Sequence, residues 1–379
     1  MAGRVENINK DILRQCRRQI GLPISEVKKK VAKISEIEQG EQKPTFKQLD
    51  TLAQLYNVPR WVFISDHLPE EYQFAETIPA FRQFAKNNTD AFSDSKVRAL
   101  TAKVEEFRRL ILELHEDMGE PVPTFSPPQI SNSTAPDRAA QLVRDWLNPA
   151  DEHNDFAGWK TELEQKGIFI FMTDKYRGWS YIDKALFRGM TIFHTVLPII
   201  IINDSDANKA QSFSLFHELG HLLKKESILD NWEEPADSVE KWCDALAGSV
   251  LMPAEQFLNV AQNIGFEELR GVKRIAETFR VSPYVCLVRL KQVELIDWGI
   301  YKQLEGLLKA EYISLQKKLQ QSDGGPSRNR PREVLHQYGQ FYTRAVFQAY
   351  HNKEIGFHKL CNLFGFKNPS YALKLEGYL

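Results

Sequence analysis

The chain has 379 residues, 42% hydrophobic and 26% charged, enough apolar material for two or three domains with their own cores. Its 49 basic and 50 acidic residues leave a formal net charge of −1, so the whole chain has no bias toward nucleic acid or membrane. Four scattered cysteines (Cys16, Cys243, Cys286, Cys361) with no C-x-x-C pair suggest reduced thiols rather than a disulfide frame or a cysteine-based zinc site. No apolar run approaches the roughly 20 residues that span a bilayer. Arg4, Glu6 and Lys10 stand where a signal peptide would have its apolar core. The expectation is a cytoplasmic protein with no membrane partner.

In chain order, residues 1–66 read as a domain of short helices. Ile8 to Ile20 is amphipathic, Gly21-Leu22-Pro23 breaks it, and Ser25 caps the next helix. Gly40 ends a third short helix, and Pro44-Thr45 opens a fourth that Asn57-Val58-Pro59 stops. The spacing I-x-Q-G-E-x-K-P-T-x-x-Q-L-x-x-L-A-x-L-Y-x-V-P resembles the Cro/repressor-type (XRE) helix-turn-helix family over residues 8–65. Residues 1–60 hold 12 Lys+Arg against 7 Asp+Glu, an excess that fits phosphate contact. Arg14, Arg17, Arg18, Lys28, Lys29 and Lys33 are the candidate DNA contacts. The stretch Lys33 to Gln39, where a recognition helix would sit, is short and carries two acids, which face phosphates badly. Protein docking or formation of a homodimer is therefore the alternative use of this domain.

Residues 67–137 read as a helical spacer, Asp94 to Met118, followed by a proline-rich linker from Gly119 to Asp137. Residues 138–265 form the next segment. A helix near Arg138 to Leu147 precedes a strand at 167–171, and Leu186 to His194 could add strands at the rim. Leu197 to Ile202 (L-P-I-I-I-I) is a β-branched run that reads as a buried strand. Asn203 to Asp206 turns the chain into a helix. The fold class is α+β, mostly α, with a small sheet beside that helix.

Ser212 to Lys225 reads S-F-S-L-F-H-E-L-G-H-L-L-K-K and contains H-E-x-x-H as His217, Glu218 and His221. Residues four apart stack on one helix face, so His217 and His221 can aim two imidazoles at one Zn²⁺. Glu218, one step round the helix, can take a proton from the attacking water. Catalytic zinc usually takes three protein ligands. No histidine follows at the spacing that would supply the third, since the next one is His336. A carboxylate on the helix Val239 to Ala247 is the better candidate. Glu240 leads there, with Asp244 and Asp237 behind it, and a second acid can hold a ligating histidine by a hydrogen bond. His194, near the sheet, could polarise a substrate carbonyl, although a lone histidine is more often structural.

The combination H-E-L-G-H, then E-K-W-C-D-A-L-A-G-S-V-L-M-P ending at Met252-Pro253, resembles the ImmA/IrrE family of zinc metallopeptidases. The resemblance implies that Glu240 is the third zinc ligand. Cys243, Asp244 and Leu246 depart from the family's Ala, Asn and Phe, which leaves the ligand in place and bears only on the role of Asp244.

Residues 266–322 are helical, with the breaks of a second helix-turn-helix, a unit that the resemblance also implies after the zinc domain. Packing against the catalytic core is the reading preferred for them. Residues 323–379 read as a basic loop, Gly324 to Arg332, and a tail of small helices. Two functions follow. In the first, the chain is a zinc-dependent endopeptidase fused to a DNA-binding module, and it cleaves a partner such as a repressor. In the second, also implied by resemblance, it is an antitoxin and autorepressor that binds a toxin such as a PIN-type nuclease, with the zinc site structural or weakly active.

Overall fold

A computed structural model describes residues 4–19, 24–56, 58–69, 95–149, 155–175, 178–183, 188–228, 236–319 and 328–379. The chain divides into two compact units, 1–109 and 110–379.

In the first unit, α1 (Lys10–Gln19), α2 (Ile24–Lys28), α3 (Ile34–Gln39) and α4 (Phe46–Tyr56) are followed by a 3-10 turn, Arg60–Ile64. Their apolar faces meet in one core that includes Leu13, Val27, Ile34, Leu52, Tyr56 and Phe63. Local chemistry sets the helix ends. Thr45 accepts from the Gln48 amide at 3.2 Å while Gln48 accepts from the Thr45 amide at 2.9 Å, a reciprocal cap at the start of α4. Gly40 closes α3 in the left-handed conformation, φ 82°, which glycine adopts without steric cost.

Helix α5 (Ser95–Met118) carries the chain from the first unit into the second. There α6 (Pro136–Leu147) and α7 (Phe156–Gln165) lead into β1 (Phe169–Met172), β2 (Gly189–Ile192) and β3 (Ile199–Ile202). The sheet order is β1-β3-β2, with β1 parallel and β2 antiparallel to the central β3. All four isoleucines of β3 are buried, because the sheet is covered on both faces. Ile170, Met172, Ile200 and Ile202 join the core formed with α8 (Asn208–Ile228) and α9 (Ala236–Leu251). The opposite face receives aromatic side chains. Phe169 stacks on Tyr342 at 5.9 Å and Phe171 meets Tyr338 edge-on at 5.4 Å.

Those tyrosines belong to α14 (Arg330–His351), which follows α10 (Ala254–Ile264), α11 (Leu269–Thr278), α12 (Pro283–Gln292) and α13 (Trp298–Leu319). Phe257, Val272, Ile275, Leu287 and Leu290 on α10 to α12 enter the same core as α8 and α9. Packing against the core is therefore what these helices do. The tail consists of α14, which is two shorter helices joined across a kink, then α15 (Phe357–Leu363) and α16 (Ser370–Glu376).

Helix α14 is broken at Gly339, whose φ of 79° and ψ of 171° only glycine takes readily. The buried Glu164 carboxylate accepts from the Gln340 and Phe341 amides at 3.1 and 3.3 Å, capping the second half of the helix. Burial pushes the Glu164 carboxyl up to about 7, against the opposing charge of Lys160. No helix among the described residues is long and apolar enough to cross a membrane.

Candidate metal centre

Two helices build the site. Leu215, Phe216, Leu219, Leu222 and Leu223 seat α8 in the core, and Trp159 packs edge-on against Phe216 at 5.0 Å. That seating fixes the helix rotation and turns His217 and His221 together toward α9. The two Nε2 atoms lie 3.0 Å apart. From α9, Glu240 places one carboxylate oxygen 3.3 Å from His217 Nε2 and the other 3.6 Å from His221 Nε2.

His217, His221 and Glu240 are the group of three among the described residues whose donor atoms converge as metal ligands would. Ligand atoms about 2.0–2.1 Å from a tetrahedral zinc stand roughly 3.3–3.4 Å from one another. The separations of 3.0, 3.3 and 3.6 Å bracket that spacing, so two imidazoles and a carboxylate here fit the ion.

The surrounding groups orient the ligands. His217 is fully buried, and its Nδ1 lies 3.0 Å from Asp244 Oδ1. A carboxylate there favours the tautomer with the proton on Nδ1, which leaves the Nε2 lone pair facing the cluster. Burial pulls the His217 imidazolium down, but the hydrogen bonds to Asp244 and Glu240 outweigh it and raise the group to about 9. Cys243 Sγ lies 3.8 Å from His221 Nδ1, on the side of the ring away from Glu240. Burial pushes its thiol well up, and its Sγ stands at His221 Nδ1, apart from the Nε2 atoms that converge with Glu240.

Glu218 is 1% exposed. Burial raises its carboxyl to about 7, while the charge of His217 and a hydrogen bond from Thr191 pull the other way. Thr191 Oγ1 lies 2.7 Å from Glu218 Oε2 and 3.0 Å from the Glu218 backbone oxygen. Gly189, at the start of the same strand, has no side chain to spare: a Cβ there would stand 2.6 Å from Glu218 Oε1. Strand β2 is thus pressed against this carboxylate through both residues.

Residues 164–291 match the IrrE N-terminal-like domain, the family Peptidase_M78. The matched span runs from the end of α7 to α12 and contains every residue of the cluster. It supports the ImmA/IrrE resemblance for this part of the chain and suggests a metallopeptidase-like domain, a class that implies zinc. A search of curated proteins finds no match.

The remaining candidates fall elsewhere. His194 lies two residues past β2 and is not a member of the converging group. The side chain of Asp237 lies outside the described residues. In the first unit Arg18, Lys28, Lys29 and Lys33 are exposed, while Arg14 is half-buried and 2.9 Å from Asp11. Arg17 departs from its reading as a surface contact. It is 9% exposed, and Glu38 holds its guanidinium at 2.7 and 2.9 Å inside the unit.

Thr191 and Gly189 escaped the reading of the sequence. Their one local signal is a small residue and a hydroxyl at alternate positions of a short strand.

Proposed function

We propose that this chain is a zinc-dependent endopeptidase whose first domain, residues 1–66, brings it to DNA. The observation that carries this is the convergence of His217, His221 and Glu240 beside the Glu218 carboxylate. When bound there, Zn²⁺ supplies Lewis acidity, polarising a carbonyl and making water a better nucleophile near neutral pH.

The chain's own groups do the rest. Asp244 keeps His217 in the ligating tautomer. Glu218, raised to about 7, sits where a carboxylate can both accept and return a proton at neutral pH, first from water and then to the leaving amine. Thr191 holds that carboxylate in one orientation. Strand β2 is the edge of the sheet beside the site, so an extended segment of a protein substrate can pair with it and lie across Glu218. The substrate class is thus a protein with an exposed, extended loop, such as a repressor. The basic side chains Arg18, Lys28, Lys29 and Lys33 supply the phosphate contacts of the DNA-binding module.

One observation favours a second reading, in which the chain binds a toxin and represses its own promoter, with zinc structural or weakly active. Glu218 is 1% exposed and backed by Gly189, the situation of a closed site.

Metal content and cleavage of neighbouring gene products, measured on wild type and Glu218→Gln together, separate the two. Zinc near one per chain in both proteins, with cleavage lost only in the variant, supports the peptidase. Zinc in both with no cleavage in either moves the conclusion to the binding role, and no zinc in either sinks the site.

A further inference from the structure

Beyond the C-terminal ends of β1 and β3 lies a cavity of about 330 Å³ that contains none of the metal-centre residues. Thr173, Asp174 and Lys175 follow β1 into it. Asp204 enters from the turn after β3, Asn208 from the start of α8, and α14 contributes Arg332, Glu333, His336 and Gln337. The crevice outside the carboxyl ends of parallel strands is where open α/β sheets commonly take small ligands.

Its floor is buried and rich in acceptors. Thr173, Asp174, Asp204 and Gln337 are each 9% exposed or less. Asp174 Oδ2 accepts from the Ser180 amide and hydroxyl at 3.1 and 2.8 Å. Asp204 Oδ1 accepts from Gln211 at 3.0 Å and lies 3.0 Å from His336 Nε2. Gln337 donates its amide to Ser180 Oγ at 2.9 Å, while its Oε1 has no partner among the described residues. A carboxylate accepts more bonds than these, and a buried carbonyl without a donor is costly. Arg330 stands 3.9 Å from Asp174 Oδ1, beyond hydrogen-bond reach, so the floor still has room for a donor, and its two carboxylates favour a cationic one.

The rim has the opposite character. Lys175, Arg328 and Arg332 are exposed there, and Arg328 already holds Glu333 at 3.0 and 2.8 Å. Three acids and three Lys or Arg side chains line the cavity, so a ligand of large net charge of either sign meets as much repulsion as attraction. A molecule with a cationic end and an anionic end meets only attraction. The volume lies near the small end of ligand pockets, and the one ring in the lining, the His336 imidazole, is engaged by Asp204.

We propose that this cavity binds a small zwitterion, a free amino acid or a short peptide. Its ammonium sits on Asp174, Asp204 and Gln337 Oε1, and its carboxylate sits at Lys175 and Arg332.

Calorimetric titration of the full chain with glycine, leucine, glutamate, lysine and Gly-Gly tests this, with acetate, inorganic phosphate and calcium chloride as comparisons. The expected result is saturable binding of at least one zwitterion at one site per chain, with a millimolar or tighter Kd. Asp174→Asn and Arg332→Gln should each weaken it by about tenfold or more. Because Asp174 also holds Ser180, circular dichroism is taken on that variant, and Arg332→Gln on the exposed rim carries the test if its fold is lost. Absence of binding by every zwitterion would overturn the proposal. So would acetate, phosphate or calcium binding as tightly as the best zwitterion, or binding that Arg332→Gln leaves unchanged.

Discussion

Thr191 Oγ1 stands 2.7 Å from Glu218 Oε2, so the edge strand of the sheet and the helix that carries His217 and His221 meet at one carboxylate. That hydrogen bond holds the Glu218 carboxyl lower than burial alone would. Thr191→Val removes it and raises the group above about 7. More acid must then be neutralised before Glu218 can accept a proton, so the acid limb of the pH profile for cleavage moves to higher pH. An unmoved limb in the variant would show that Thr191 does not set the carboxylate's protonation.

Metal binding is expected to release a proton from His217. With the imidazolium raised to about 9, zinc affinity should climb about tenfold per pH unit up to that point and then level off. Asp244→Asn should lower the plateau by about 10–100-fold and shift the bend to lower pH, because the partner that raises His217 is weakened. Equilibrium dialysis at a series of pH values measures both. In the metal-free protein the same group stabilises the fold fully below its ordinary value of 6.5, and this is lost as pH rises through about 9.

Gly189→Ala should separate metal binding from turnover. The added methyl would fall 2.6 Å from Glu218 Oε1 and 2.8 Å from its Cγ, while none of the three candidate ligands is among the atoms it would meet. Zinc content is expected to stay near wild type while cleavage falls by about a hundredfold, the effect of a displaced catalytic group. Parallel metal analysis and kinetics decide it.

Arg17→Ala should act on stability. Removing one partner of a buried, bidentate pair leaves Glu38 charged and unanswered, at about 3–5 kcal/mol. Lys28→Ala and Lys33→Ala, at exposed positions, should change stability by less than about 0.5 kcal/mol. If the first domain binds DNA, each of those two lowers the salt slope of binding by about one. Chemical denaturation and salt-titrated binding check the two halves of this prediction.

What could be read from the sequence was what depends on neighbours along the chain. His217 and His221 share a face because a helix repeats that way, and four consecutive isoleucines in β3 announce a strand covered on both sides. Glu240 stood out from its place on the next helix, but its approach to both imidazoles depends on how α8 and α9 pack. Gly189 and Thr191 gain their meaning only from the register that lays β2 over Glu218. Arg17 shows the converse. Its position on a polar helix face suggested solvent, and Glu38, 21 residues away, draws it inside. The kink in α14 was not legible, since it forms where Gly339 meets Glu164, a residue far away along the chain.

That break has a consequence for the order of synthesis. The second face of the sheet is closed by Tyr338 and Tyr342, which come far later in the chain than His217, His221 and Glu240. On the ribosome, α8 and α9 emerge while Phe169 and Phe171 still face water. Under the proposed function, the nascent chain therefore holds its candidate ligand set before the sheet beside it is sealed, so metal binding would precede the completed site.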